Sequence, residues 1–397
     1  MKVVDSLETT AATLLARTSL TLVSLQKLQR LWAGYGSICR ITASPTTPND
    51  MDHVQHESLI LKYIAPPPAA RSSDEGHIRK VLSYHVEQYF YSHLAGQLPP
   101  EIPVAKCLAS IQSDSNSGGK DVTAMLLTDL RLEYPLAGEK MGKLSEVQTQ
   151  AALKWLASFH GFWWARVGAL ERVRLVKPPL EEIRKARGAL KKSVWLNGGY
   201  TYLETRCKEY RDLVNDEDSE WCEVLCATVG NSLSIAERVA KVLAPRSEGI
   251  GISAEFETLV HGDVKSENLF TTRSGAGAVF YDFQYVGLGL GICDLAKFFT
   301  CSVPLWMLVD DQYVPDELEM RVGEERLLRI YQQILQEYSG KKYPWEELIK
   351  HWETALVDWL RFQASWGSWG NFQWLEARAR FILKDPGWKN WLDQHTS

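Results

Sequence analysis

The strongest constraint in this chain is a change of apolar period about a third of the way along it. Before the change, short apolar runs rich in β-branched residues, such as ESLILKYI at 57–64 and VTAMLLTDL at 122–130, read as strands. After it, SEVQTQAALKWLASFHGFWWARV at 145–167 has the spacing of one long helix, and most of the remaining chain is helical. Strands first and helices later read as an α+β chain: a β-rich N-terminal part with one helix, then a helical part carrying a small β-insert. The expected division is an N-terminal part, 1–130, and a C-terminal part, 131–397.

Within the first part, the opening residues to about 26 read as a leading helix. LQRLW and ICRITAS flank a turn, Ala33-Gly34-Tyr35-Gly36-Ser37. The prolines at 66–68 must stop the next strand, and 65–77 is rich in Pro, Ser and Asp, so it reads as a loop. A helix is expected over 78–95. The runs at 104–112 and 122–130 are separated by SDSNSGGK, which suggests a hairpin. In the second part, a helical stretch at about 171–255 leads to three short strand-like pieces, TLVHGD, NLFTT and AVFYDF.

Composition excludes some partners. Net charge is −5 and the pI near 6.0, without the basic surplus of a nucleic-acid binder. No run of about 18 apolar residues suggests a membrane span. The seven cysteines are irregularly spaced and show no zinc pattern, which fits free thiols. A cytoplasmic protein with no obligate protein partner is expected.

The decisive segment is LVHGDVKSENLF at 259–270, followed by AVFYDFQ at 278–284. Asp263 and Asn268 are five residues apart, and Asp282 follows Asp263 by nineteen. This is the spacing of a phosphoryl-transfer loop and its metal-binding aspartate. Such transfer needs a positioned hydroxyl and neutralised phosphates. Asp263 suits the base, Asn268 and Asp282 offer the hard oxygens Mg²⁺ prefers, and Lys265 is a point charge for the transferring phosphate. Two short strands joined by a hairpin would bring both ligands to one end of a small sheet.

HGD, four residues, Asn, then DFQ resembles the aminoglycoside phosphotransferase and choline/ecdysteroid kinase-like superfamily, over about 30 to 300. The resemblance implies a two-lobed protein-kinase-like fold, ATP and Mg²⁺ as cofactors, and a hydroxylated small molecule as acceptor. It makes Lys62 similar to the strand lysine on the ATP phosphates, and Glu87 to its helix partner. Leu127, Thr128, Asp129 and Leu130 resemble the hinge that holds adenine through backbone groups. The turn with Gly34, Gly36 and Ser37 would lie over the phosphates. Asp294 resembles a buried aspartate that braces the catalytic loop.

Other readings compete. An isolated Asp in a turn is most often a cap; the ordered set of five residues outweighs that reading for Asp263. His261 is expected to pack under the loop. Trp345, Trp352, Trp359 and Trp366 recur every seven residues, which first suggests a core-facing helical stripe. The functional alternative makes Trp359 and Trp366 an aromatic wall of the acceptor pocket, with Asp358 answering a cationic substrate. Gly262 stands where protein kinases carry an Arg, and only eleven residues separate Asp282 from Asp294, so a long peptide-binding segment has no room. The alternatives to a small-molecule kinase are a nucleotide-binding pseudokinase scaffold and an atypical protein kinase.

Overall fold

The computed structural model describes residues 7–46, 56–67, 74–112, 122–184, 192–228, 232–245, 254–309 and 313–396. The chain separates into two compact units, Met1–Glu133 and Tyr134–Ser397. The architecture is α+β: an antiparallel sheet with helices in the first unit, and mainly helices in the second.

The first unit begins with helix α1 (Leu7–Ala16), followed by strands β1 (Leu20–Arg30), β2 (Gly36–Pro45) and β3 (Glu57–Ile64). Helix α2 (Glu75–Tyr89), β4 (Cys107–Gln112) and β5 (Thr123–Thr128) complete it. The sheet is antiparallel, in the order β1-β2-β3-β5-β4. Leu14 and Leu15 of α1 pack on Cys39, Ile41, Leu59, Leu61 and Leu126 across one sheet face. Side chains alternate along a strand. Lys62, next to Leu61, therefore projects from the opposite face.

Two expectations change. The leading helix ends at Ala16, and Ser19, at φ 57°, turns the chain into β1. Leu20, Leu22 and Leu25 then pack against the sheet core, a burial the apolar N-terminus could meet as strand as well as helix. Helix α2 starts three residues earlier than expected, because the Asp74 carboxylate caps it by accepting from the His77 N–H. The turn expected at 113–120 lies outside the described residues.

The second unit contains β6 (Leu136–Ala137), the long α3 (Glu146–Trp164), and shorter α4 (Pro179–Arg184), α5 (Cys207–Val214), α6 (Glu220–Cys226) and α7 (Ile235–Leu243). Strands β7 (Thr258–Val260), β8 (Leu269–Thr271), β9 (Ala278–Phe280) and β10 (Gly287–Gly289) come next, then α8 (Gly291–Cys301), α9 (Val322–Ser339), α10 (Trp345–Trp366), α11 (Phe372–Lys384) and α12 (Pro386–Thr396). Ser145 and Gln148 form a capping box that starts α3. β6, β8 and β9 form one small antiparallel sheet, and β7 pairs with β10. Among the described residues, no helix is long and apolar enough to cross a membrane.

Candidate active site

In the second unit, β8 and β9 pair with Leu269 opposite Phe280. Asn268 just before β8 and Asp282 just after β9 therefore lie at the same end of the hairpin. The Tyr281 N–H donates to the Asn268 carbonyl at 3.1 Å and extends the pairing to that end. The Asn268 amide nitrogen donates to the Asp263 backbone carbonyl at 2.9 Å and to its carboxylate Oδ2 at 3.0 Å. Lys265 Nζ meets the same Oδ2 at 3.2 Å and Glu267 at 3.4 Å. Both contacts fall on Oδ2. Burial by itself would lower the Lys265 ammonium, but Asp263 and Glu267 beside it hold its pKa above the ordinary lysine value.

The loop is rigid for identifiable reasons. Asp294, fully buried on α8, accepts from the His261 N–H at 2.6 Å and the Gly262 N–H at 2.9 Å. Burial would raise its carboxyl, yet the hydrogen bond from His160, with Lys297 and His261 nearby, holds it below the usual aspartate range. His261 bonds the Tyr281 carbonyl through Nε2 and accepts the Asp263 N–H through Nδ1, so the ring is neutral; burial lowers its pKa. Gly262 has φ 87°, and a Cβ there would strike the Tyr285 carbonyl and stand 2.8 Å from the Gly199 nitrogen. Asp282 has φ 66°, left-handed for a residue with a side chain, and Gln284 Nε2 donates to its Oδ1 at 2.6 Å. Trp195 in turn donates to the Gln284 carbonyl at 2.9 Å.

In the first unit, Lys62 and Glu87 form an ion pair at 2.6 Å, with 7% and 2% of their side chains exposed. The turn bearing Gly34, Gly36 and Ser37 comes after β1. Gly34 has φ 77°, and a Cβ at Gly36 would strike the Tyr63 carbonyl of β3, so both positions require glycine. Ser37 is buried. Leu127 and Thr128 end β5. The Asp129 carboxylate is committed inside the unit, to Arg40 at 3.1 Å, Ser58 at 2.8 Å and the Arg131 N–H at 3.1 Å, so only its backbone is available to a ligand. Leu130 opens the short turn that Asp129 caps.

Sequence reasoning missed a clamp on the glycine turn. The Tyr35 hydroxyl bonds His77 Nδ1 at 2.6 Å, and the Lys80 ammonium lies 3.5 Å from the Trp32 ring centroid. His77, Lys80, Tyr84 and Glu87 recur at helical spacing on one face of α2, which was a usable signal.

The proposed aromatic wall divides. Trp352 and Trp359 are buried, at 0% and 4% exposure, and the Trp359 ring stacks on Phe362. Trp366, at the end of α10, is 49% exposed. The Asp358 carboxylate, expected to await a cationic substrate, pairs with fully buried Arg361 at 2.9 Å.

Residues 53–328 match the model of the phosphotransferase enzyme family, and the chain belongs to that family. Its class is that of the small-molecule kinases. No curated protein matches the chain in sequence. Among solved structures it is similar to a macrolide 2'-phosphotransferase from Brachybacterium faecium (12% identity, 98% of each chain, TM-score 0.40). It is also similar to a choline kinase from Cryptosporidium parvum Iowa II (11% identity, 95% of this chain and 91% of that one, TM-score 0.41). A third likeness is to an aminoglycoside-3'-phosphotransferase of type VIII (14% identity, 86% and 94%, TM-score 0.35).

Proposed function

We propose that this enzyme transfers the γ-phosphoryl group of ATP to a hydroxyl of a small molecule, with Asp263 as the base. The observation that carries the reading is the meeting of Asp263, Asn268 and Asp282 at one end of the β8–β9 hairpin. Residues 1–130 bind the nucleotide, and 131–397 carry the catalytic loop and the acceptor site.

The donor set suits Mg²⁺. The Asn268 amide nitrogen is turned to Asp263, so its carbonyl oxygen is the end left for a cation. The Asp282 carboxylate adds charge. Among the described residues, no group of three or more His, Cys, Asp or Glu could hold a metal ion. One amide oxygen and one carboxylate fit an ion that takes its other ligands from phosphate and water. When bound, Mg²⁺ neutralises charge on the phosphates.

The acceptor O–H donates to Asp263 Oδ1. The hydroxyl oxygen forms the new bond to phosphorus as the bond from phosphorus to the β–γ bridging oxygen breaks, and ADP departs. The proton rests on Asp263 until product leaves. Lys265 turns from Asp263 to a phosphate oxygen and screens its charge. Lys62 contacts the phosphates and Glu87 fixes its direction. The turn with Gly34, Gly36 and Ser37 covers the phosphates, and the backbone from Leu127 to Leu130 holds adenine. All seven cysteines are free thiols, in keeping with a cytoplasmic setting.

A metabolite panel read by ATP consumption tests the reading. One hydroxylated compound should raise Mg²⁺-dependent consumption, and Asp263→Asn should remove the increase. Consumption that survives this substitution would overturn the proposed base.

A further inference from the structure

Resting on phosphoryl transfer at Asp263, we infer that the acceptor of this enzyme carries no positive charge, because the aromatic box beside the catalytic loop is already filled by a cation of the chain itself, Arg206.

The box is tied to the reacting residues through the backbone. The Tyr200 N–H donates to the Gly262 carbonyl at 2.9 Å, and the Gly199 N–H to the Tyr285 carbonyl at 3.0 Å. Tyr285 stands three residues after Asp282, and its ring meets that of Tyr200 edge-on at 5.0 Å. Tyr200 also meets Phe362 and Trp366 edge-on, at 5.7 and 6.4 Å between centroids, and those two rings stack on each other at 6.0 Å. Rings set at right angles around one point are the arrangement that attracts an organic cation.

That point is occupied. The Arg206 guanidinium carbon lies 3.8 Å from the Tyr200 centroid, 5.3 Å from Trp366 and 5.5 Å from Phe362. The side chain is 1% exposed and held at two ends: Nε donates to the Tyr200 carbonyl at 2.7 Å, and Nη1 to Glu209 at 3.1 Å. Arg361, fully buried, donates to the next carbonyl, Thr201, at 2.6 Å. Lys297 Nζ donates to the Gly262 carbonyl at 3.0 Å. Three cations thus sit around residues 200, 201 and 262. The two carboxylates placed to answer a cationic ligand, Glu209 and Asp358, are paired with Arg206 and Arg361.

Two observations indicate what the site accepts instead. Among the described residues, Nη2 of Arg206 and Nη1 of Arg361 are buried donors without a hydrogen-bond partner. They attract oxygen atoms and repel an ammonium. Trp366 is half exposed and Tyr200 half buried, so flat apolar faces remain open on the outside of the box. The chemistry that fits is an uncharged, oxygen-rich ring compound, laid against Trp366 and Tyr200 with one hydroxyl toward Asp263.

The test is calorimetric titration of the full-length enzyme with choline. Wild type should show no choline binding that depends on Trp366. Arg206→Met, which keeps side-chain length and removes the charge, should bind choline at least about tenfold more tightly than wild type. Choline binding by wild type that is lost in Trp366→Ala would overturn the inference. Should Arg206→Met fail to fold, wild type decides alone, first by choline and then by turnover of amine-bearing alcohols against their N-acetyl counterparts. The neutral member of each pair should have the higher kcat/KM; an equal or reversed preference overturns the inference. ATP consumption indifferent to Asp263→Asn would instead remove the phosphotransfer reading beneath it.

Discussion

Two lysine–carboxylate pairs in this protein look alike in outline and differ in physical character. Lys62 and Glu87 meet at 2.6 Å with almost no exposed surface; Lys265 and Asp263 meet at 3.2 Å with 31% and 18% of their side chains exposed. The first pair joins a strand to a helix, and both ends are held by a sheet and its packing. The second lies within a loop, and its lysine has a second partner in Glu267. A buried pair is costly to break and slow to exchange, because each charge left alone is desolvated. A partly exposed pair gives less stability and exchanges partners more readily. The first therefore acts as a fixed post and the second as a contact made to be replaced.

The largest effect is expected at Asp263. Asp263→Asn should lower kcat by about 10²–10⁴-fold, the usual contribution of a general base, with little change in the melting temperature. Steady-state turnover with the identified acceptor and a thermal melt check both parts. An unfolded variant would show that the loop pair is structural after all, and the contrast would fail.

Glu87→Ala should cost about 3–5 kcal/mol of stability by removing the carboxylate that faces the buried Lys62 ammonium. The double variant Lys62→Met with Glu87→Leu should recover most of that stability in urea unfolding while remaining inactive. A single variant as stable as wild type would show that the pair is not dry.

If burial sets the contrast, a buried group without a counter-charge should show it by itself. His351 is 1% exposed and bonds the Tyr343 hydroxyl at 2.6 Å through Nδ1. Burial, with His395 nearby, lowers its pKa from 6.5 to about 4. Below pH 6.5 the unfolded chain takes up a proton that the folded chain refuses until about pH 4. Stability should therefore fall as pH drops through that window, by on the order of 3 kcal/mol, and should be fully present above it. His351→Phe should flatten this part of the pH profile, measured by urea unfolding at successive pH values.

The smallest effect on stability belongs to Lys265. Lys265→Ala should change it by less than about 1 kcal/mol, yet raise KM for ATP. Unchanged ATP kinetics would leave Lys265 as a surface residue.

The meeting of Asp263, Asn268 and Asp282 at one end of a hairpin was legible because these residues fall within about twenty positions and their spacing survives any packing. Lys62 and Glu87 were legible as single charges on apolar elements. Arg206 was not, since it lies in a stretch without clear period and its meaning depends on rings from residues 200, 362 and 366. Asp358, read as a charge for a cationic substrate, pairs with Arg361 three residues on, one helical turn away, a partner visible in the sequence. Residues 20–26 defeated the reading for another reason: an apolar, uncapped run satisfies the same core as helix or strand, and only pairing with β2 decides between them.

Gly262 has a consequence for how such an enzyme can be controlled. Any side chain there would collide with the Tyr285 carbonyl and crowd Gly199. An arginine at this position, able to read a phosphorylated segment, is thus not one substitution away; it would require Tyr285 and the 199–200 turn to move with it. Reading a phosphorylated loop through an arginine at this position is sterically remote for this chain.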